Sequence, residues 1–150
     1  VAKFTKDDVE KIKAELGLPW GRVALRCDGF RVTVAVTEVG ALKYVLRVFV
    51  NGWMHASQVL DDCEERRRFM RPSLVRLYPP AKRQALVKQV GIRLAKKMGA
   101  DSTLTVYSHH WNSARVMLRH FLANNENVEL VGVGYAAVLE SEHAKERPHA

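Results

Sequence analysis

Cysteine is scarce in this chain. Cys27 and Cys63 are its two thiols in 150 residues, too few and too far apart for a disulfide framework. A reduced, cytoplasmic thiol pair is the expectation. No apolar run approaches the roughly 20 residues that a membrane-crossing helix needs. Around the first residues, Lys3, Lys6, Asp7, Asp8 and Glu10 stand where a secretory segment would be apolar. No membrane partner is therefore expected. A Gly-rich phosphate loop, a Gly-x-Ser-x-Gly elbow and a Cys-x-x-Cys pair are all missing, so no complete catalytic motif points to a reaction and no cofactor is expected. The most telling absence is of acid: between Arg66 and Met98 there is neither Asp nor Glu.

What fills that stretch is positive charge. Residues 64–98 hold eleven Lys/Arg (Arg66, Arg67, Arg68, Arg71, Arg76, Lys82, Arg83, Lys88, Arg93, Lys96 and Lys97) against Glu64 and Glu65. This local excess of nine exceeds the whole-chain net charge of +8, so the rest of the chain is close to neutral. A protein that is basic for solubility spreads its charge. A local footprint is what a polyanion or an acidic partner requires. Overall, 47% hydrophobic and 27% charged residues are ordinary for a folded domain. The expected organisation is one α+β domain over residues 1–139 and a polar, frayed tail over 140–150.

Local signals give the element order. Thr5 opens a helix with Asp7 and Asp8 in its first turn; Val9, Ile12 and Leu16 form its apolar stripe, and Gly17 with Pro19 ends it. Four β-rich runs follow: Val23–Cys27, Phe30–Val39, Leu42–Val50 and Trp53–Leu60. Between them stand Asp28-Gly29, Gly40 and Asn51-Gly52, and the Asp-Gly and Asn-Gly pairs suit two-residue type I′ turns. These runs predict a four-stranded antiparallel meander. In its second strand Phe30, Val32, Val34 and Val36 would be buried, with Arg31, Thr33 and Ala35 wet. Asp61 and Asp62 offer N-caps for a short charged helix to Met70, and Pro79-Pro80 opens a long helix to Met98. Thr103–Tyr107, Ser113–Asn124 and Val128–Val133 form a β-α-β run that fits a right-handed parallel crossover.

Successive residues of a helix turn by about 100°. On the long helix, Lys82, Gln89, Arg93 and Lys96 therefore share a stripe bordered by Lys97, while Val87, Val90, Leu94 and Met98 face the core. With Arg66, Arg67, Arg68 and Arg71 just upstream, this predicts a basic helical layer suited to phosphates, whose oxygens match the guanidinium fork. Tyr107-Ser108-His109-His110-Trp111-Asn112 is the second candidate, a strand-to-helix loop in which Trp111 could stack on a base and Arg115 and Arg119 could hold phosphates. His109, His110 and His120 do not complete a zinc set at usual spacing, and no metal site is expected. Asp61, Asp62, Glu64 and Glu65 suggest helix capping more than the ion site of a nuclease.

Three stretches taken together carry a resemblance. They are Leu18-Pro19-Trp20-Gly21-Arg22-Val23 running on to Cys27-Asp28-Gly29-Phe30-Arg31-Val32; Glu64-Glu65-Arg66-Arg67-Arg68-Phe69 with Arg71-Pro72; and Tyr107-Ser108 through Trp111 to Asn124-Asn125 and Glu129-Leu130-Val131. Over roughly residues 5–131 the chain resembles small uncharacterised accessory proteins carried by bacteriophages and prophages. The resemblance implies a cytoplasmic location in a bacterial host and transfers no catalytic residue. The expected function is non-enzymatic binding of nucleic acid or of a host nucleoprotein complex through the basic surface. Inhibition of a host defence complex, of the anti-CRISPR type, is the alternative, and a metal-dependent nuclease is the third reading.

Overall fold

The computed structural model describes residues 1–146, the side chains of 143–146 excepted. In chain order the elements are α1 (Lys6–Leu16), β1 (Arg22–Cys27), β2 (Phe30–Gly40), β3 (Lys43–Val50), α2 (Ser57–Leu60), α3 (Glu64–Phe69), β4 (Arg71–Arg76), α4 (Pro80–Val90), α5 (Ile92–Lys97), β5 (Thr103–Ser108), β6 (His110–Trp111), α6 (Ala114–Asn124), β7 (Val128–Val133) and α7 (Tyr135–Glu146). The fold is mixed α+β. The chain divides into two compact units: Val1–Arg71 with the chain from Ser108 onward, and Pro72–Tyr107, which interrupts the first in sequence.

The first unit is built on a five-stranded antiparallel sheet in the order β6-β3-β2-β1-β7. Asp28 and Gly29 at the β1–β2 turn take φ of 47° and 87°, as a two-residue hairpin demands. Asn51 and Gly52 take φ of 52° and 82° after β3. The fourth meander strand does not follow. Trp53 makes a single bridge to Val50, and the chain then turns into α2, a turn closed by the Gln58 carboxamide accepting from His55 N at 3.2 Å. The free edge of β3 goes instead to the short β6, where Leu46 faces Trp111 and Arg47 faces His110.

The expected parallel crossover is also absent. β7 takes the outer edge of β1 in antiparallel fashion, and β5 pairs with β4 in a separate two-stranded sheet. Nor is one face of the sheet wet. Val32, Thr33, Val34, Ala35 and Val36 are all buried, so both faces are covered. On the Phe30 side an aromatic chain fills the core: Phe30 to Phe69 and Phe69 to Phe121 each at 5.5 Å between ring centroids, and Trp111 to Phe121 at 6.2 Å. The opposite side meets α7. A Cβ at Gly132 would lie 2.9 Å from Ala136 Cβ, and Arg31 pairs with Glu140 at 2.7 Å. Small residues at Ala24, Thr33, Ala35 and Gly132 allow that approach. Residues 140–146, read from sequence as a frayed tail, continue helix α7, with Ser141 buried. Residues 147–150 of that tail lie outside the described residues.

α1 begins as its sequence dictates: Thr5 Oγ1 accepts from Asp8 N at 3.1 Å, while Asp8 Oδ2 accepts from Thr5 N at 2.9 Å. α3 does not use the Asp61 or Asp62 caps. Its N-cap is Cys63, and the Asp62 carboxylate pairs with Arg67 and Arg66 instead.

In the second unit, Leu77 N donates to Ser102 O at 3.1 Å. That bond ties the end of β4 to the start of β5, so the two strands form an antiparallel ribbon. The long helix between them is broken at Gly91, whose φ of 85° and ψ of 163° belong to a region essentially restricted to glycine. The break throws α5 out of phase with α4, so Lys82 and Arg93 no longer share one continuous stripe. Val87 and Val90 are half-buried, whereas Leu94 and Met98, expected in the core, are exposed. Ala95 is the buried residue of these two helices.

A candidate basic interface

The eleven clustered cations fall into two classes. Those of the first unit are engaged by its own frame. Arg68 Nη1 donates to Asp28 Oδ2 at 2.6 Å and to Asn125 Oδ1 at 3.0 Å, and the guanidinium lies 5.6 Å from the Phe30 ring centroid. Asp28 also accepts from the backbone N–H groups of Glu126 and Asn127, each at 2.8 Å. Its carboxyl is held down at about 2 by those backbone donors and by Arg68. Arg67 and Arg66 share Asp62 at 2.9 Å and 3.5 Å, and Arg71 Nε donates to the His110 carbonyl at 2.7 Å. Of these four arginines, all expected at the interface, Arg68 ties α3 to the β1–β2 turn and to Asn125 after α6, Arg71 reaches β6, and Arg66 and Arg67 pair with Asp62 just before α3.

The cations of the second unit are arranged differently. Arg76, Lys82, Lys88, Arg93, Lys96 and Lys97 are exposed, and among the described residues none forms an ion pair. Arg83 is the exception: its Nε binds Asp101 Oδ1 at 2.7 Å. Asp101 is the unit's single acid. Beside them lies a cleft of about 400 Å³ lined by Arg76, Pro80, Arg83, Gln84, Ala100, Asp101 and Thr103. The Asp101 carboxyl is lowered by its hydrogen bond from Arg83, with Lys96 and Arg76 adding to the effect. Several cations thus converge on one carboxylate. The sequence could not single out Asp101, because its partner stands 18 positions away on another element. The same unit exposes Leu74, Leu77, Ile92, Leu94, Met98 and Leu104.

The loop of the second candidate is reorganised. Trp111 is only 2% exposed, and its Nε1 donates to Phe69 O at 3.0 Å, so it is a core side chain with no face to offer a base. His109 Nε2 lies 3.0 Å from Gln58 Oε1, and His120 Nε2 lies 3.1 Å from Arg67 O. Burial lowers the pKa of His109, His110 and His120, and nearby charges lower the first two further. The three imidazoles thus favour the neutral form. Burial pushes the Cys27 thiol up to about 12 and also raises that of Cys63, which suits neither to act as a nucleophile. Among the described residues no three His, Cys, Asp or Glu side chains group as metal ligands.

Arg115 and Arg119 do lie together on α6. With Lys13 of α1 they edge a groove of about 270 Å³ floored by Val9, Leu118 and Leu122. Lys13 was missed because nothing in the sequence ties α1 to α6. No described helix is long and apolar enough to cross a membrane. Comparison with protein-family models, curated proteins and solved structures gives no match to this chain.

Proposed function

We propose that this is a non-enzymatic binding protein whose Pro72–Tyr107 unit engages the phosphate backbone of a nucleic acid, alone or within a nucleoprotein complex. One observation carries the reading: the unit has seven Lys/Arg against the single acid Asp101, and six of those cations are exposed with no ion pair among the described residues. Surface cations meant for solubility or helix support come interspersed with acids, as they do around Asp62 and Glu64 at the start of α3. A surface with so few acids repels itself; the phosphates of a polyanion neutralise that charge, and the release of the polyanion's condensed counterions drives the association.

The reading predicts steep salt dependence. If four to six cations contact phosphates, log K against log[salt] for duplex DNA should slope at roughly −3.5 to −5.5, at about −0.9 per contact. Fluorescence anisotropy with labelled duplex DNA and duplex RNA across a salt series measures it. Lys82→Gln, Arg93→Gln and Lys97→Gln together should flatten the slope and weaken binding regardless of base sequence. A folded triple variant with the wild-type slope overturns the proposal.

A second reading has its own support. Leu74, Leu77, Ile92 and Leu104 are more than half exposed on the same small unit, a combination of apolar and basic surface that fits a protein partner with apolar and acidic patches. An inhibitor of a bacterial host defence complex, of the anti-CRISPR type, would use it so. Leu74→Ser with Leu104→Ser should abolish capture of such a complex while leaving duplex binding unchanged. On the nucleic-acid reading, the pair leaves both readouts intact.

A further inference from the structure

We propose that the cleft between Arg76 and Arg83 is a subsite for a single phosphodiester, and that Asp101 occupies it as an internal stand-in which the phosphate displaces. The inference rests on the reading of this unit as a nucleic-acid interface, and it assigns one position on that surface a defined ligand and a built-in competitor.

Three features of the cleft carry it. Its walls supply donors of the kind a phosphate needs: the guanidinium groups of Arg76 and Arg83, the Gln84 carboxamide and the Thr103 hydroxyl. A volume of about 400 Å³ admits a phosphate with its flanking sugar atoms. Positive charge outweighs negative there, since Arg76, Arg83 and Lys96 all act on the one carboxylate of Asp101. The carboxylate takes only the Nε edge of Arg83, at 2.7 Å, so the guanidinium retains donors for a bidentate grip on phosphate oxygens.

The Arg83–Asp101 pair is also easy to open. The two side chains are 37% and 49% exposed. An ion pair in that setting contributes little, so an incoming anion with more acceptor oxygens displaces the carboxylate at small cost. The Asp101 carboxylate then holds Arg83 in place until a phosphate arrives, and it weakens binding by competing for the same cations.

Anisotropy titrations with duplex DNA, and with duplex RNA of the same sequence, test this on the full chain. Asp101→Asn removes the competitor and should raise affinity on the order of tenfold, the equivalent of one charged hydrogen bond. Glu10→Gln, which adds the same charge on exposed α1, should raise it far less. Arg76→Gln should lower affinity on the order of tenfold and cancel most of the Asp101→Asn gain when the two are combined, because both changes act on one bound group. Thermal melts identify any variant that is not folded, and Arg76, which forms no ion pair with Asp101, is the variant least exposed to that failure.

Equal gains from Asp101→Asn and Glu10→Gln, or additive effects of Asp101→Asn and Arg76→Gln, overturn the subsite. If the Lys82/Arg93/Lys97 triple variant still loses affinity in that case, the wider interface reading stands without it. If the triple variant binds like wild type, the interface reading fails and takes the subsite with it. A gain on DNA alone, or on RNA alone, assigns the phosphodiester to that source.

Discussion

Trp111 and Asp28 show how single side chains divide between structure and binding. The indole of Trp111 packs against Phe121 and His120 with its N–H satisfied by the Phe69 carbonyl, so its removal empties a closed core. Trp111→Ala should cost about 3–5 kcal/mol in chemical denaturation. At temperatures where the variant stays folded, it should bind duplex DNA like wild type. A loss of affinity without a loss of stability would restore Trp111 to the interface. The imidazoles make a second prediction at this scale. With their pKa values lowered by burial, His109, His110 and His120 hold fewer protons in the native state than in the unfolded chain, across the window between those lowered values and about 6.5. Stability is therefore full above that window and declines as pH falls through it. The thermal midpoint should drop between pH 7.5 and pH 5, and His120→Gln should reduce the drop; an unchanged pH profile in that variant removes His120 from the account.

Elements were legible where the information is local and lost where it is not. The Thr5 capping box, the Asp28-Gly29 hairpin and the left-handed Asn51-Gly52 turn each depend on two to four adjacent residues, and each forms as its sequence dictates. The fourth strand failed because a turn specifies a reversal and not what the returning chain will pair with. β6 is only two residues long, too short to show a period, yet it takes the edge of β3. α7 was hidden for another reason: Ala136 and Ala137 stand against Gly132 and its buried residues include Ser141, and small residues carry no hydrophobic signature. The same division applies to the candidate site. The excess charge of residues 64–98 was readable, but its sorting into four arginines engaged by the frame and six exposed cations depends on Asp28, Asp62 and Asp101. Of these, Asp28 lies 40 positions from its arginine and Asp101 lies 18. The break at Gly91 was likewise invisible inside an otherwise helical run. Its backbone geometry makes a direct prediction: Gly91→Ala must either strain the junction, at about 1–3 kcal/mol, or let α4 and α5 merge. Either outcome should alter the amide chemical shifts of residues 88–95 while leaving those of β1 and β2 in place. Unchanged shifts at the junction would mean that the two helices are not held apart there.

At the scale of the whole molecule, packing and charge separate along the same boundary. The first unit holds nearly all of the buried apolar side chains, including Trp111, Phe69, Phe121, Ile12 and Leu25, and its seventeen Lys/Arg are nearly balanced by fifteen acids, with Arg31, Arg66, Arg67 and Arg68 in ion pairs. The second unit buries Ala95 and Ala100, exposes leucines on both of its strands and carries six of the chain's eight net positive charges. So small a set of buried side chains supplies little stability of its own, whereas the first unit has an extensive core of its own. Because β4 and β5 run antiparallel, Arg71 and Ser108 stand at the same end of their ribbon, and a short Gly-Ser linker can join them. A protein in which that linker replaces residues 72–107 should fold cooperatively and keep the near-ultraviolet circular dichroism of the packed Trp111, Phe69 and Phe121 cluster. It should also lose its salt-dependent affinity for duplex DNA, since the rest of the chain is left with a net charge of only +2, its clustered cations being those that share Asp28 and Asp62 and the smaller Lys13, Arg115 and Arg119 group. Retention of full affinity would move the interface to the α1–α6 groove, where Arg115→Gln with Arg119→Gln would then have to abolish it. Failure of the shortened chain to fold would show that the core of the first unit depends on the segment inserted into it.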